Sequence, residues 1–174
     1  RDDASALNQK QSGSVNDGGQ VIFGLGTVAA TNAANGNTFT ADKQFLLWGD
    51  NGASGPVAFS DTADATIFSR LARTWFVDNS NSYAQDTQLL IPVALTTGGT
   101  SPKLVMNTSS AFASGTNTYI PLSATTTINS VSYYVVNLTA AQVATDFYFS
   151  VVTNQKAPGG VASNLRFWLN MSSF

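Results

Sequence analysis

The sequence predicts an all-β protein: a single antiparallel β-sandwich of jelly-roll or Greek-key type, with about ten short strands and at most one helical turn. Three observations lead there. All ten acidic residues are Asp and Glu is absent, so a residue common on exposed helices is missing while turn-forming Asp is kept. Short apolar or alternating runs recur along the chain, separated by Gly, Pro, Asn and Asp clusters. Charged residues make up 10% against 43% hydrophobic, well under the roughly 25% charged fraction of ordinary domains, so Ser, Thr, Asn, Gln and Gly must build the surface. At 174 residues the chain is read as one domain, 1–174, long enough for a substantial core.

Residues 1–19 form an extended polar segment. The run 21–25 is the first strand, with 28–34 extending or following it, and the Asn35-Gly36-Asn37 turn precedes a short strand at 38–40. Residues 44–77 read as a β-meander. A first run, 44–48, stops at Gly49-Asp50-Asn51-Gly52, whose Asn-Gly pair tolerates positive φ. A second, 57–59, follows Pro56. The third, 67–77, sets Leu71, Arg73, Trp75 and Val77 against Arg70, Ala72, Thr74 and Phe76, which is strand spacing.

The polar cluster 78–82 is loop chemistry. An apolar strand, 87–95, carries Pro92, which predicts an edge or a bulge. Further strands are expected at 103–106 and 118–122, then a hairpin of 126–128 and 132–138 joined through Asn129-Ser130. Residues 138–143 suit one helical turn with Thr139 as its N-cap. In 146–153, Phe147, Phe149 and Val151 alternate with Tyr148, Ser150 and Val152. After a Pro-Gly-Gly hinge at 158–160, Leu165, Phe167, Leu169 and Met171 alternate with Arg166, Trp168, Asn170 and Ser172 as a terminal strand, 161–174.

Net charge is −2 and the eight basic residues are scattered, which argues against nucleic acid, whose phosphates need a basic stripe. No apolar run approaches a membrane span, so no membrane insertion is expected. With neither Cys nor His, disulfides, thiolate or imidazole metal sites and Ser-His-Asp or Cys-His catalysis are excluded. The abrupt polar opening suits a chain whose leader was removed or a piece of a longer polypeptide.

Three motifs in order, RDDASALNQKQS at the start, WGDNG at 48–52 and RLARTWFV at 70–77, resemble a β-sandwich module of very large bacterial cell-surface and secreted proteins. The resemblance covers roughly residues 1–153. It implies an extracellular, cell-surface location and a structural or adhesive role, and it brings no catalytic residues with it.

Acid–base chemistry would have to come from Asp pairs, Asp2-Asp3 or Asp61 with Asp64, but adjacent strand residues face opposite ways and lone turn aspartates are the plainer reading. Asp50, Asn51, Asp61 and Asp64, in neighbouring loops, are candidate oxygen ligands for a calcium ion, against a plain reading as turn residues, and no EF-hand-type loop is present. No other cofactor is expected. Arg70 and Arg73 are placed to pair with Asp2 or Asp3 and pin the amino-terminal segment, against a plain reading of two solvated strand residues. Trp48, Trp75, Trp168 and Tyr83, Tyr119, Tyr133 and Tyr134 are either core or sugar-stacking platforms. Trp168 stands out because it lies opposite the apolar face of its strand.

These readings converge on a non-enzymatic structural subunit of a bacterial surface fibre or layer. Copies would assemble into homopolymers by β-strand addition, the polar amino-terminal segment or the strand 161–174 pairing with a neighbour's exposed sheet edge, with Leu165, Phe167, Trp168, Leu169 and Met171 as the assembly interface. The alternative is a carbohydrate-binding, adhesive module in which exposed aromatics and Asn/Asp loops hold a glycan, with or without calcium.

Overall fold

The computed structural model describes residues 9–13, 21–96 and 99–154. Their backbone forms twelve strands in two antiparallel sheets packed face to face, a β-sandwich as the sequence predicts. The first sheet takes, in spatial order, β1 (Gln11–Gly13), β2 (Ile22–Leu25), β7 (Thr87–Pro92), β11 (Val131–Leu138) and β10 (Thr125–Ile128). The second contains β3 (Phe45–Asp50), β4 (Pro56–Ala58), β5 (Ser69–Leu71), β6 (Trp75–Ser80), β8 (Thr100–Asn107), β9 (Thr118–Pro121) and β12 (Phe147–Asn154).

Strand β12 is the axis of the second sheet. β8 pairs along one side of it, and β6 and β5 share the other, with Trp75 opposite Phe149 and Arg70 opposite Val152. β3 and β4 form the next rank, paired with β6 and β5. The 67–77 run is therefore one strand in direction but not in hydrogen bonding. Residues 72–74 step out of the ladder and divide it into β5 and β6, and residues 51–55 make the matching break between β3 and β4. The expected meander is a hairpin with a break in each arm.

Polar side chains hold the break open. Ser150 Oγ lies 2.8 Å from Arg73 O and 3.2 Å from Leu71 O. Arg70 Nη1 donates to Leu71 O at 2.8 Å and to Thr74 Oγ1 at 2.9 Å. From the other rank, Asn51 Nδ2 donates to Ala72 O at 3.2 Å while its Oδ1 accepts from Thr74 N at 3.1 Å. These contacts replace the ladder bonds that the break removes.

The alternation in β12 fills two separate cores. Phe147, Phe149 and Val151 enter the main core between the sheets, where Phe149 stacks on Trp75 with ring centroids 5.0 Å apart and planes 6° from parallel. Val77, Leu89, Ile91 and Leu104 are fully buried beside them. Val152 points the other way and joins Ile67, Val105 and Phe112 in a smaller cluster on the outer face, flanked by Phe59, Tyr119 and Tyr148.

The hairpin 125–138 forms with the expected turn: Ile128 pairs with Val131, and Asn129 and Ser130 both have positive φ, 48° and 66°. That is the two-residue turn whose twist matches the strands. Elsewhere the structure corrects the sequence. Pro92 sits at the end of β7, a central strand, where it gives way to a 3₁₀ turn at Val93–Thr96. β6 continues through the polar 78–80 stretch, and the turn waits for Asn81 and Ser82, at φ 56° and 54°. No strand forms at 28–34 or 38–40. That segment is ordered around buried Asn35, whose Nδ2 donates to Leu25 O and Thr27 O at 3.2 and 3.0 Å and whose Oδ1 accepts from Asn37 N at 3.0 Å. Polar satisfaction replaces strand pairing there.

Candidate functional site at the open sheet edge

The aspartates proposed as metal ligands fall into separate sets. Asp50 ends β3, and its buried carboxylate accepts from Arg73 Nη1 at 2.9 Å. Asn51 is engaged in the strand break described above. Asp61 and Asp64 face each other in an isolated bridge, but their carboxylates serve different partners. Among the described residues no group of three or more Asp, Glu, His or Cys side chains is placed to hold a metal ion.

Asp61 is the most heavily bonded side chain of the outer cluster. Its Oδ1 accepts from Gly115 N at 2.6 Å, Ala63 N at 2.9 Å and Ser114 Oγ at 3.2 Å, and its Oδ2 accepts from Asn117 Nδ2 and Tyr119 Oη at 2.5 Å each. These donors use the lone pairs of the carboxylate. Burial alone would raise the carboxyl's pKa, but the bonds from Asn117, Tyr119, Ala63 and Gly115 outweigh it and hold the group well below the usual carboxylate range. Burial and the same Asp61 contact push the Tyr119 phenol up. Asp64 is lowered chiefly by its hydrogen bond to Lys103, with Thr66 adding to it. The result is a clasp that ties the 59–67 loop to the 108–117 loop over Phe112 and Val152. The two carboxylates thus bond to different partners, Asp61 to neutral donors and Asp64 to Lys103 and Thr66.

Arg70 is half-buried, not solvated. Its guanidinium lies 4.9 Å from the Phe112 ring centroid and 5.8 Å from that of Phe59, a cation–π arrangement, and burial lowers its pKa. Asp2 and Asp3, its expected partners, lie outside the described residues. Most of the candidate stacking aromatics are core. Trp75, Tyr83 and Tyr133 are buried, and Trp48 packs its ring 4.8 Å from that of Phe23. Tyr119 is taken up by Asp61, and Tyr134 packs against the main core. Trp168 and the rest of the predicted interface, Leu165, Phe167, Leu169 and Met171, lie outside the described residues.

What the described surface does offer is an edge. β3 and β4 pair on one side only among the described residues. Leu46 and Trp48 turn inward, while Leu47 is 58% exposed, and Val57 of β4 and the nearby Phe68 are 39% and 50% exposed. β3 carries neither Lys nor Pro, and its single charge, Asp50, is turned to Arg73, whereas β4 opens on Pro56. Natural edge strands usually carry such guards against pairing with another chain. Gly49 leaves open space on this edge opposite Phe76, whose ring leans on Tyr148 with centroids 4.8 Å apart.

Beside β4 the edge opens into a cleft of about 770 Å³ between the second sheet and the 3₁₀ turn, with Leu71, Leu95 and Val151 reaching its wall from the main core. Asn154 and Arg70 also line it, and Asn154 Oδ1 and Arg70 Nε are buried without a hydrogen-bond partner among the described residues. Residues 1–142 match the family described as a domain of unknown function, DUF8202. The chain belongs to that family. The match takes in both arms of the broken hairpin and the Asp61 clasp, and stops short of β12. No curated protein and no solved structure matches the chain.

The sequence missed both the Asp61 clasp and the cleft. Apart from Ala63, the partners of Asp61 lie 53 to 58 residues away along the chain, a separation that no local pattern reports. The edge was not legible either, since Leu46, Leu47 and Trp48 read as one apolar run.

Proposed function

We propose that this protein is a non-enzymatic structural module of a bacterial cell surface, which joins its neighbours by adding a β-strand to the β3–β4 edge. The observation that carries this reading is the edge itself: an unguarded six-residue strand, β3, with Leu47 exposed at its centre and an apolar cleft beside its continuation. An incoming strand gains main-chain hydrogen bonds along the edge and pockets for alternate side chains, the usual economy of strand addition. The extracellular setting rests on the resemblance of the three sequence motifs to surface-protein modules.

Negative-stain microscopy of the purified chain tests the proposal. Filaments or sheets are expected, and they should disappear on substitution of Leu47 and Val57 by Lys. Dispersed monomers across the whole concentration range would overturn it.

A further inference from the structure

We infer that the occupant of the β3–β4 edge and its cleft is residues 161–174 of a second copy of this chain. The inference rests on the strand-addition reading above and names its donor. Three features of the acceptor meet three features of that segment.

The cleft wall is apolar at Leu71, Leu95 and Val151, and the segment offers Leu165, Phe167 and Leu169 at alternate positions, the spacing that puts them on one face of a strand. Val57 pairs with Arg70, whose ring contacts are on the outer face, so Val57 and Leu47 line the outer side of the edge. The donor's opposite face carries Trp168, large enough to cover either of them. Along β3 and β4 the main chain pairs on one side only among the described residues, and an extended backbone, which carries one donor and one acceptor per residue, meets the other side.

Each copy would then present one donor strand and one acceptor edge. Such a contact is head-to-tail, and unless its rotation happens to close a ring it propagates as a filament. Six residues, 155–160, separate the end of β12 from the donor, and at about 3.3 Å per residue they span roughly 20 Å. That reach serves a neighbour, and it also allows the segment to fold back on its own edge, so the experiment must separate the two.

The chain contains no Cys, which makes engineered cross-links unambiguous. Full-length proteins carrying Val57→Cys or Leu47→Cys are mixed with full-length Trp168→Cys and oxidised. A disulfide-linked pair containing one chain of each kind is expected, and a ladder of covalent oligomers from the double variant, Val57→Cys with Trp168→Cys. Circular dichroism and the melting temperature of each variant confirm that it is folded. An internal disulfide in the double variant with no ladder would overturn the inference by placing the segment on its own chain. Filaments that form normally with no cross-link at either acceptor position would also overturn it, while leaving strand addition by another donor intact. Absence of any association in the unmodified chain would overturn both readings.

Discussion

Asp50 Oδ1 accepts a hydrogen bond from Arg73 Nη1 at 2.9 Å, joining the WGDNG segment to the RLARTWFV segment across the break in the hairpin. The two motifs are thus two halves of one structural device. Trp48 pairs with Val77 and Asp50 with Trp75, so the pair closes the last rung before both arms leave the ladder. A charged hydrogen bond of this kind contributes about 1.5–3 kcal/mol. Asp50→Ala should lower stability by that amount, measured by denaturant unfolding, and lower Tm by about 2–4 °C per kcal/mol lost. An unchanged midpoint would show that the break is held without this pair, by Arg70, Asn51 and Ser150 and the main-chain bonds across it.

Asp61 has the largest structural role of any ionised group in the outer cluster. Asp61→Ala leaves Tyr119, Gly115 and Ala63 without this acceptor and removes one of three from Asn117, and should cost about 3 kcal/mol. Limited proteolysis of the variant should cut first in the 59–67 or 108–117 loop.

The same carboxylate dictates an acid response. Its folded pKa is depressed below the unfolded value of about 3.9. The unfolded chain therefore binds the proton first as pH falls, and the stabilisation, fully present above about pH 4, is lost below it. Asp64, lowered by Lys103, adds to the loss in the same direction. Unfolding free energy measured from pH 6 down to pH 2 should fall most steeply below pH 4, and Asp61→Asn should flatten that slope.

Calcium is expected to leave the protein unmoved. The carboxylates of Asp50, Asp61 and Asp64 already face Arg73, a set of neutral donors and Lys103, so an ion would have to displace bonds rather than fill an empty cage. Tm in millimolar calcium and in excess chelator should agree within error. A rise with calcium would reveal a site through the linkage of binding to folding.

Ser130 stands at φ 66° in the β10–β11 turn, a conformation that costs non-glycine residues free energy. Ser130→Gly creates the Asn-Gly turn that hairpins of this length favour, and should stabilise the protein by about 0.5–1 kcal/mol in denaturant melts.

The parts of the fold legible in the sequence are those with local causes. Alternation set Phe147, Phe149 and Val151 of β12 on one face and Tyr148, Ser150 and Val152 on the other, and Asn129-Ser130 marked the β10–β11 hairpin. Pattern alone read 67–77 as one unbroken strand, because the break depends on Ser150 and Asn51, which lie far from it along the chain. The 28–40 stretch looked like strands because its apolar residues gave no sign that Asn35 would be buried as a hydrogen-bonding hub. The four candidate metal ligands were grouped by residue type, but the breaks and loops that carry them send each carboxylate to a different partner. Open edges are likewise invisible in sequence, since whether a strand is paired on both sides is a property of topology.

Sedimentation velocity over a hundredfold concentration range, comparing the unmodified chain with the Leu47→Lys/Val57→Lys variant, tests edge-mediated assembly most directly. The unmodified chain should shift to larger species as concentration rises, while the variant stays monomeric with an unchanged Tm, since both substitutions are at exposed positions. Equal association by both proteins, or none by either, would contradict the account.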